Sequence, residues 1–444
     1  MARRTVRGIE IEKLAHGGDG LGYLPDGRVL FVKDGLPGDI VDVEVIKEKK
    51  SFARGRVKEV TTPSKHRVAV QCEAFENGCG GCQFWGVGYD QEMEWKVQAA
   101  WEAMKRISKL DLADPRVEKA PTIFHYRNRV IFHQRREGDD LRRGFFAARS
   151  RKIIDVQRCP VAHKAINEAI EEFGGPLSMV GKADIMMETA GDGGVVVLVE
   201  LLPGERISHD ALNELSRRLE QGVVVRGIEI LDDRGKYFIL GDTTVAASEI
   251  LARPPLESMQ VKAGRFRQAN SEVNRKLVDY IRDAVEEKFG GDDAGPAPRI
   301  VELYCGSGNF SFPLAELAGE LVGYEGSSAA VEAASQMVEM DDEMTHVHFE
   351  VADLSEIEVV SQVLSEPFDI LVLDPPRDGA PEVAEEMVGD HLARQIIYIS
   401  CDAACLARDL KTLCSGGWKL EELTFFDMFP RTAHLETVAI LTRE

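Results

Sequence analysis

Alternating apolar and polar residues dominate the first sixty positions. Val6-Arg7-Gly8-Ile9-Glu10-Ile11 and Val41-Asp42-Val43-Glu44-Val45 repeat with period two, the signature of strands that bury one face. Gly17-Gly18-Asp19-Gly20, Asp26-Gly27 and Pro37-Gly38 punctuate them as turns. Strands so short and so closely spaced predict a small closed β-barrel of the oligonucleotide-binding (OB-like) type over residues 1–60.

Residues 61–255 read as a mixed α+β block of antiparallel character. It contains a helix over Gln91–Ile107, a basic strand around Tyr126-Arg127-Asn128-Arg129-Val130-Ile131-Phe132, and buried strands at Val195–Val199 and Val223–Val225. Beyond 256 the rhythm changes. Val273, Leu277, Val278, Ile281 and Val285 share one helical face, and strands at 300–304, 321–324, 369–373 and 395–400 alternate with helices. That order predicts a doubly wound, mainly parallel α/β sheet of Rossmann-like type over residues 256–444. Gly290–Pro298 carries no helical or strand pattern and reads as an exposed insertion. With 444 residues the chain has room for about three domains.

Composition adds two constraints. No apolar run approaches the roughly 20 residues that span a bilayer, which implies a soluble protein with no membrane partner. The net charge of -21 is unevenly spread. Residues 1–160 hold 30 Lys and Arg against 23 Asp and Glu, whereas 161–444 hold 24 against 52. A basic front suits a phosphate backbone, although an adaptation of solvated surface explains the asymmetry equally well. Lys47, Lys49, Lys50, Arg54, Arg56 and Lys58 cluster on the last barrel hairpin, either as a phosphate surface or as a charged edge that blocks aggregation.

Four of the eight cysteines form a pattern: Cys72, Cys79 and Cys82 in a glycine-rich stretch, then Cys159 before Pro160. Soft thiolates so spaced suit an iron–sulfur cluster or zinc, with disulfides as the competing reading. The N-terminus does not resemble a signal peptide, so a reducing, cytoplasmic setting and a metal are expected.

A strand running into Cys305-Gly306-Ser307-Gly308 and then a helix forms a nucleotide-type turn, and Glu325 follows at the distance of a ribose-binding carboxylate. Without a third glycine at dinucleotide spacing, a cofactor with ribose but no phosphate fits, and S-adenosyl-L-methionine is the candidate. Asp353 ends the next strand, as an adenine contact or a helix cap. Asp374 precedes two prolines at the carboxyl edge of the sheet. Arg377 stands where amino-group methyltransferases place an aromatic, and the loop lacks the cysteine of 5-methylcytosine enzymes. Cys401 lies between a strand and a helix, where the helix dipole favours thiolate, or where it is a small buried hydrophobe. Glu436 stands at a strand entrance, and His434 reads as structural.

Taken together, these residues resemble the RNA (uracil-5-)-methyltransferase family, in its 23S ribosomal RNA type with a TRAM domain and a [4Fe-4S] cluster. The resemblance covers nearly the whole chain. Gly17-Gly18-Asp19-Gly20 and Phe31–Gly38 are similar to a TRAM domain, and Phe266-Arg267-Gln268-Ala269-Asn270 to the family's F-x-Q-x-N element. The resemblance implies Cys72, Cys79, Cys82 and Cys159 as cluster ligands in an α+β central domain. It implies Gln268, Tyr304, Glu325, Asp353 and Asp374 as binding S-adenosylmethionine, Cys401 as nucleophile and Glu436 as general base. It further implies methylation of uridine carbon 5 in 23S rRNA through a covalent cysteine–uracil adduct, by a monomer. The same chemistry on tRNA, or an impaired RNA-binding homologue, are the alternatives. Arg127, Arg129, Arg135 and Arg136, with the barrel, are expected to grip phosphates. One departure stands beside the nucleophile: the family motif S-C-N-P-A-T reads Ser400-Cys401-Asp402-Ala403-Ala404-Cys405 here. An adjacent carboxylate is expected to raise the thiol pKa.

Overall fold

The computed structural model describes residues 4–138, 140–246, 260–290, 295–389 and 392–443. The amino-terminal strands are β1 (Thr5–Glu10), β2 (Lys13–Leu14), β3 (Gly20–Tyr23), β4 (Val29–Lys33), β5 (Ile40–Glu48) and β6 (Phe52–Thr62). They form one sheet in the order β1-β5-β6-β4-β3-β2. The alternating apolar residues face inward, and Val6, Ile9, Leu30, Val32, Val41, Val43 and Ala53 make its core. The sheet curls until β3 meets the end of β1. A Cβ on Gly22 would lie 2.5 Å from the Glu10 carbonyl oxygen, so this approach admits no larger residue.

The chain continues through α1 (Glu73–Glu76), α2 (Tyr89–Ser108) and β7 (Arg116–Glu118) into a seven-stranded central sheet. Its strands are β8 (Arg129–Glu137), β9 (Asp140–Phe146), β10 (Ile153–Asp155), β11 (Ala183–Thr189), β12 (Val195–Leu201), β13 (Val225–Leu231) and β14 (Tyr237–Gly241). The order is β10-β9-β8-β11-β12-β13-β14, antiparallel except between β12 and β13. Helices α3 (Lys164–Leu177) and α4 (His209–Gln221) pack their apolar faces against it. Val223 is not in a buried strand. It is 91% exposed, because the turn after α4 spends its amides on Glu172, whose carboxylate accepts from Val223 N and Val224 N at 3.1 and 3.3 Å. Strands β15 (Thr244–Ala246) and β16 (Gln260–Lys262) form a small ribbon beyond it.

The carboxyl-terminal part holds α5 (Ser271–Phe289), β17 (Arg299–Leu303), α6 (Ser311–Ala315), β18 (Glu320–Glu325), α7 (Ser328–Glu339), β19 (Val347–Val351) and α8 (Ile357–Val363). It continues with β20 (Ile370–Leu373), α9 (Pro381–Glu386), β21 (Gln395–Ser400), α10 (Ala403–Ser415), β22 (Lys419–Phe426) and β23 (Glu436–Thr442). The sheet runs β19-β18-β17-β20-β21-β23-β22-β7, and only β23 opposes its neighbours. Residues 89–118, which fall inside the span expected for the central block, contribute here: α2 shares the core with α10, and β7 extends the edge beside β22. Periodicity shows which face of α2 is apolar but not which sheet receives it. Residues 291–294 of the expected insertion lie outside the described residues. No helix among the described residues is long and apolar enough to cross a membrane.

Candidate active site

Strand β17 lies between β18 and β20, so the loops leaving their carboxyl ends diverge and open a crevice. Tyr304 leaves β17 with φ 63°, and Gly306 and Gly308 follow at φ 57° and 91°. This left-handed turn brings the loop under the end of β18, where the Glu325 carboxylate accepts from Gly306 N at 3.1 Å and Ser327 N at 2.8 Å. Asp353 is exposed at the mouth, and Ser355 holds its carboxyl below the usual range by donating its hydroxyl at 2.7 Å and its amide at 3.1 Å. It fixes a turn and does not cap α8, which follows Glu356. Asp374 follows β20. Although half open to the crevice, it is surrounded by protein, and its pKa is raised to about 7.

The antiparallel pairing of β21 with β23 brings Ser400 opposite Thr437. One step further along the same register, Cys401 comes opposite Glu436. Burial and the nearby Asp374 push the Glu436 carboxyl well above its ordinary value, with Arg377 opposing them. The Cys401 thiol is raised to about 11, first by burial, then by Glu436 and Asp374, while Arg377 lowers it. Asp402 acts differently from expectation. Its Oδ1 caps α10, accepting from Ala404 N at 2.9 Å and Cys405 N at 3.0 Å, so its charge is spent on the helix terminus. Its other oxygen faces His16 of the barrel.

Gln268 arrives from a third direction, just before α5. The Asn128 side chain donates to the Gln268 carbonyl at 2.9 Å and ties this segment to the central sheet. Gln268, Tyr304, Glu325, Asp353, Asp374, Cys401 and Glu436 all line one cavity of about 1440 Å³, together with Arg377 and His434. A crevice that gathers a glycine turn, a thiol and carboxyls of raised pKa suits group transfer from a nucleoside cofactor to a bound base.

Of the expected phosphate contacts, Arg129 pairs with Glu188 at 2.7 Å and Arg135 with Asp184 at 2.8 Å, so both have partners inside the central sheet. On the barrel hairpin, Arg54 pairs with Asp19 and Arg56 with Glu44. Lys47, Lys49, Lys50 and Lys58 are exposed. Asn128 and His16 carried no usable signal, whereas Arg377 stood in a stretch already marked by its prolines.

All eight cysteines are free thiols, so no disulfide forms. Cys72 precedes α1, Cys79 bridges to Ala147 beside β9, and Asn167 of α3 clamps Cys159 through its amide and carbonyl at 2.8 and 3.0 Å. The four sit around one apolar cluster. Among the described residues no three His, Cys, Asp or Glu converge as they would on a single ion. A multi-iron cluster asks for a wider spacing than one ion, since each thiolate binds its own iron. Burial is the first cause raising each of the four thiols, and Cys79, Cys82 and Cys159 are raised further by their neighbours in the set. Such thiols ionise only beside a strong positive centre, and that donor set fits an iron–sulfur cluster.

Residues 88–444 match the tRNA (uracil-5-)-methyltransferase family, and residues 2–58 match the TRAM domain. A Methylococcus capsulatus protein named 23S rRNA (uracil(1939)-C(5))-methyltransferase RlmD is 31% identical, over 98% of this chain and 96% of its own length. A Vibrio parahaemolyticus protein of the same name is 30% identical, over 98% and 95%. The solved Pyrococcus abyssi tRNA (uracil-54, C5)-methyltransferase, in complex with S-adenosyl-L-homocysteine, superposes with TM-score 0.71 at 25% identity, covering 98% of this chain and all of that one. The amino-terminal barrel is therefore a TRAM domain, the crevice belongs to an S-adenosylmethionine-dependent RNA methyltransferase fold, and the chain is a member of the tRNA (uracil-5-)-methyltransferase family.

Proposed function

We propose that this enzyme methylates carbon 5 of a uridine in 23S rRNA through a transient bond between Cys401 and carbon 6 of the ring. The observation that supports the chemistry is the pairing of Ser400 with Thr437 across β21 and β23, beside which the Cys401 thiol and the Glu436 carboxyl both line the cavity. The full-length relatives named for 23S rRNA support the substrate.

Carbon 5 of uracil is too electron-poor to take a methyl group unaided. The Cys401 thiolate attacks carbon 6, and the electron pair moves through carbon 5 to the carbonyl at carbon 4 as an enolate. S-adenosylmethionine supplies an electrophilic methyl group, which carbon 5 takes up. Glu436 then accepts the proton from carbon 5, and the pair released expels the thiolate and restores the ring. Gln268, Tyr304, Glu325, Asp353 and Asp374 hold the cofactor against the base. In this reading Glu325 and Asp353 take the ribose and the adenine, and Asp374 stands beside Glu436, whose carboxyl it helps to hold above its ordinary value. The target base must leave its stack to bring carbon 5 and carbon 6 within reach of the cofactor and the thiol. Cys72, Cys79, Cys82 and Cys159 would hold a [4Fe-4S] cluster with a structural role, since the reaction moves no net electrons.

A tRNA substrate is the second reading, favoured by the whole-chain similarity to the Pyrococcus enzyme. Mapping 5-methyluridine in the rRNA and tRNA of a deletion strain decides between them. Loss of one 23S rRNA site, restored by the wild-type gene and not by Cys401→Ala, is expected. Loss confined to tRNA would overturn the substrate assignment.

A further inference from the structure

Glu436 opens β23, directly after the loop that joins β22 to β23, and that loop is held from outside its own sheet. Asp427 is buried and accepts from Tyr89 Oη at 2.8 Å and Lys96 Nζ at 2.5 Å, both on α2. Tyr126 of the central domain donates to the Pro430 carbonyl at 2.9 Å. The strongest grip is on Arg431, whose backbone is in the left-handed region at φ 69°. Its carbonyl accepts from Gln83 N at 2.8 Å and Phe84 N at 3.1 Å, its amide donates to Glu92 at 2.6 Å, and its buried guanidinium reaches the carbonyls of Phe84 and Val87 at 3.2 and 2.9 Å and Glu92 at 3.0 Å. Two residues on, Ala433 N donates to the Gln83 side chain at 3.0 Å.

Residues 83–87 are the segment that leaves Cys82. Trp85, 2% exposed, joins the two ends. Its ring lies under the Arg431 guanidinium at 5.1 Å, a cation–π contact. Its indole N–H is buried and has no hydrogen-bond partner among the described residues, with Cys82 three positions back along the same segment. A buried indole N–H ordinarily finds an acceptor, and a cluster-bound sulfur would be a better one than a thiol.

We infer that the cysteine loop sets the position of the general base, with Arg431 as the positioning residue that transmits it. Only a short, stiff link separates Arg431 from Glu436, since Thr432 folds back on the Phe429 carbonyl through its hydroxyl at 2.8 Å and Leu435 is buried. A ligated Cys82 fixes Trp85 and the carbonyls of residues 84 and 87, and these fix Arg431. The step served is proton removal from carbon 5, after methyl transfer. This inference rests on the covalent route proposed above, with Glu436 as base.

The test uses the iron-loaded protein and a natural-uridine 23S rRNA fragment, with single-turnover methyl transfer and SDS-stable protein–RNA complex measured side by side. In Arg431→Ala, methyl transfer within the complex is expected to persist, while resolution slows about 10- to 100-fold, the loss that follows a displaced base. The methylated adduct then accumulates, with iron content and visible absorption unchanged. Arg431→Lys keeps the charge but not the fork to Phe84 and Val87, and is expected to accumulate less adduct. If the alanine variant does not fold, the lysine variant alone decides. Removing iron from the wild-type protein is expected to produce the same accumulation. Parallel loss of transfer and resolution, or normal resolution in a variant lacking these contacts, would overturn the inference. Failure of the wild type to form a complex on 5-fluorouridine RNA would instead overturn the covalent route beneath it.

Discussion

His16 of the TRAM barrel approaches Asp402, the residue after the expected nucleophile, with Nε2 3.7 Å from Oδ2. The loop between β2 and β3 that carries His16 is pressed into the junction of the barrel, the central domain and the carboxyl-terminal domain. A Cβ on Gly18 would lie 2.8 Å from the Ala433 methyl, and Asp19 pairs with Arg54 of the barrel and Arg149 of the central domain. The TRAM barrel thus touches both the turn after Cys401 and the loop before Glu436.

This geometry makes Asp402 a helix cap first. Asp402→Asn keeps an oxygen for the amides of Ala404 and Cys405 and is expected to retain folding and most activity. Asp402→Ala removes the cap and is expected to cost about 1 kcal/mol in chemical denaturation. A much faster enzyme in the asparagine variant would show that the carboxylate restrains the thiol after all.

Arg377 lowers the pKa of both Cys401 and Glu436. With a thiol pKa of about 11, only about one molecule in ten thousand carries the thiolate at pH 7, and the fraction rises tenfold per pH unit. Alkylation of Cys401 by iodoacetamide is expected to follow that slope, and Arg377→Ala is expected to slow it several-fold at pH 8. S-adenosylmethionine, a sulfonium, is expected to speed it more than neutral S-adenosylhomocysteine does. Equal rates with the two ligands would remove the electrostatic argument.

Glu302 sits inside β17 with no exposure. Ser311 bonds one of its oxygens, and the other has no partner among the described residues. Burial raises its pKa to about 8 from an ordinary 4.5. The folded state keeps the proton up to about 8 while the unfolded chain releases it near 4.5, so this group lowers stability as pH rises through that window. Glu302→Gln is expected to raise Tm at pH 8 and to change it little at pH 5. An equal shift at both would mean that the carboxyl is already ionised in the fold.

Much of this site was legible along the chain because its residues end strands. Tyr304, Asp374 and Cys401 each stand one position beyond a buried parallel strand, and alternation fixes where such strands stop. Glu325 was legible through its distance from the glycine turn. Cross-chain relationships were not legible. Nothing local says that β23 runs against β21, and it is that reversal which brings Glu436 opposite Cys401. The same holds for α2, whose partner face lies some three hundred residues away in sequence, and for the barrel loop at Asp402. Arg129 and Arg135 stand in a basic run that cannot display their partners Glu188 and Asp184, which come from the neighbouring strand β11.

The account turns on a reversible bond from Cys401 to the pyrimidine ring. The most direct measurement incubates the enzyme and S-adenosylmethionine with a 23S rRNA fragment transcribed with 5-fluorouridine, whose carbon 5 has no proton to release after methylation. The account predicts an SDS-stable protein–RNA complex in wild-type protein and in Cys405→Ala, and none in Cys401→Ala. A complex that survives loss of Cys401, or methylation of natural uridine by Cys401→Ala, would contradict it.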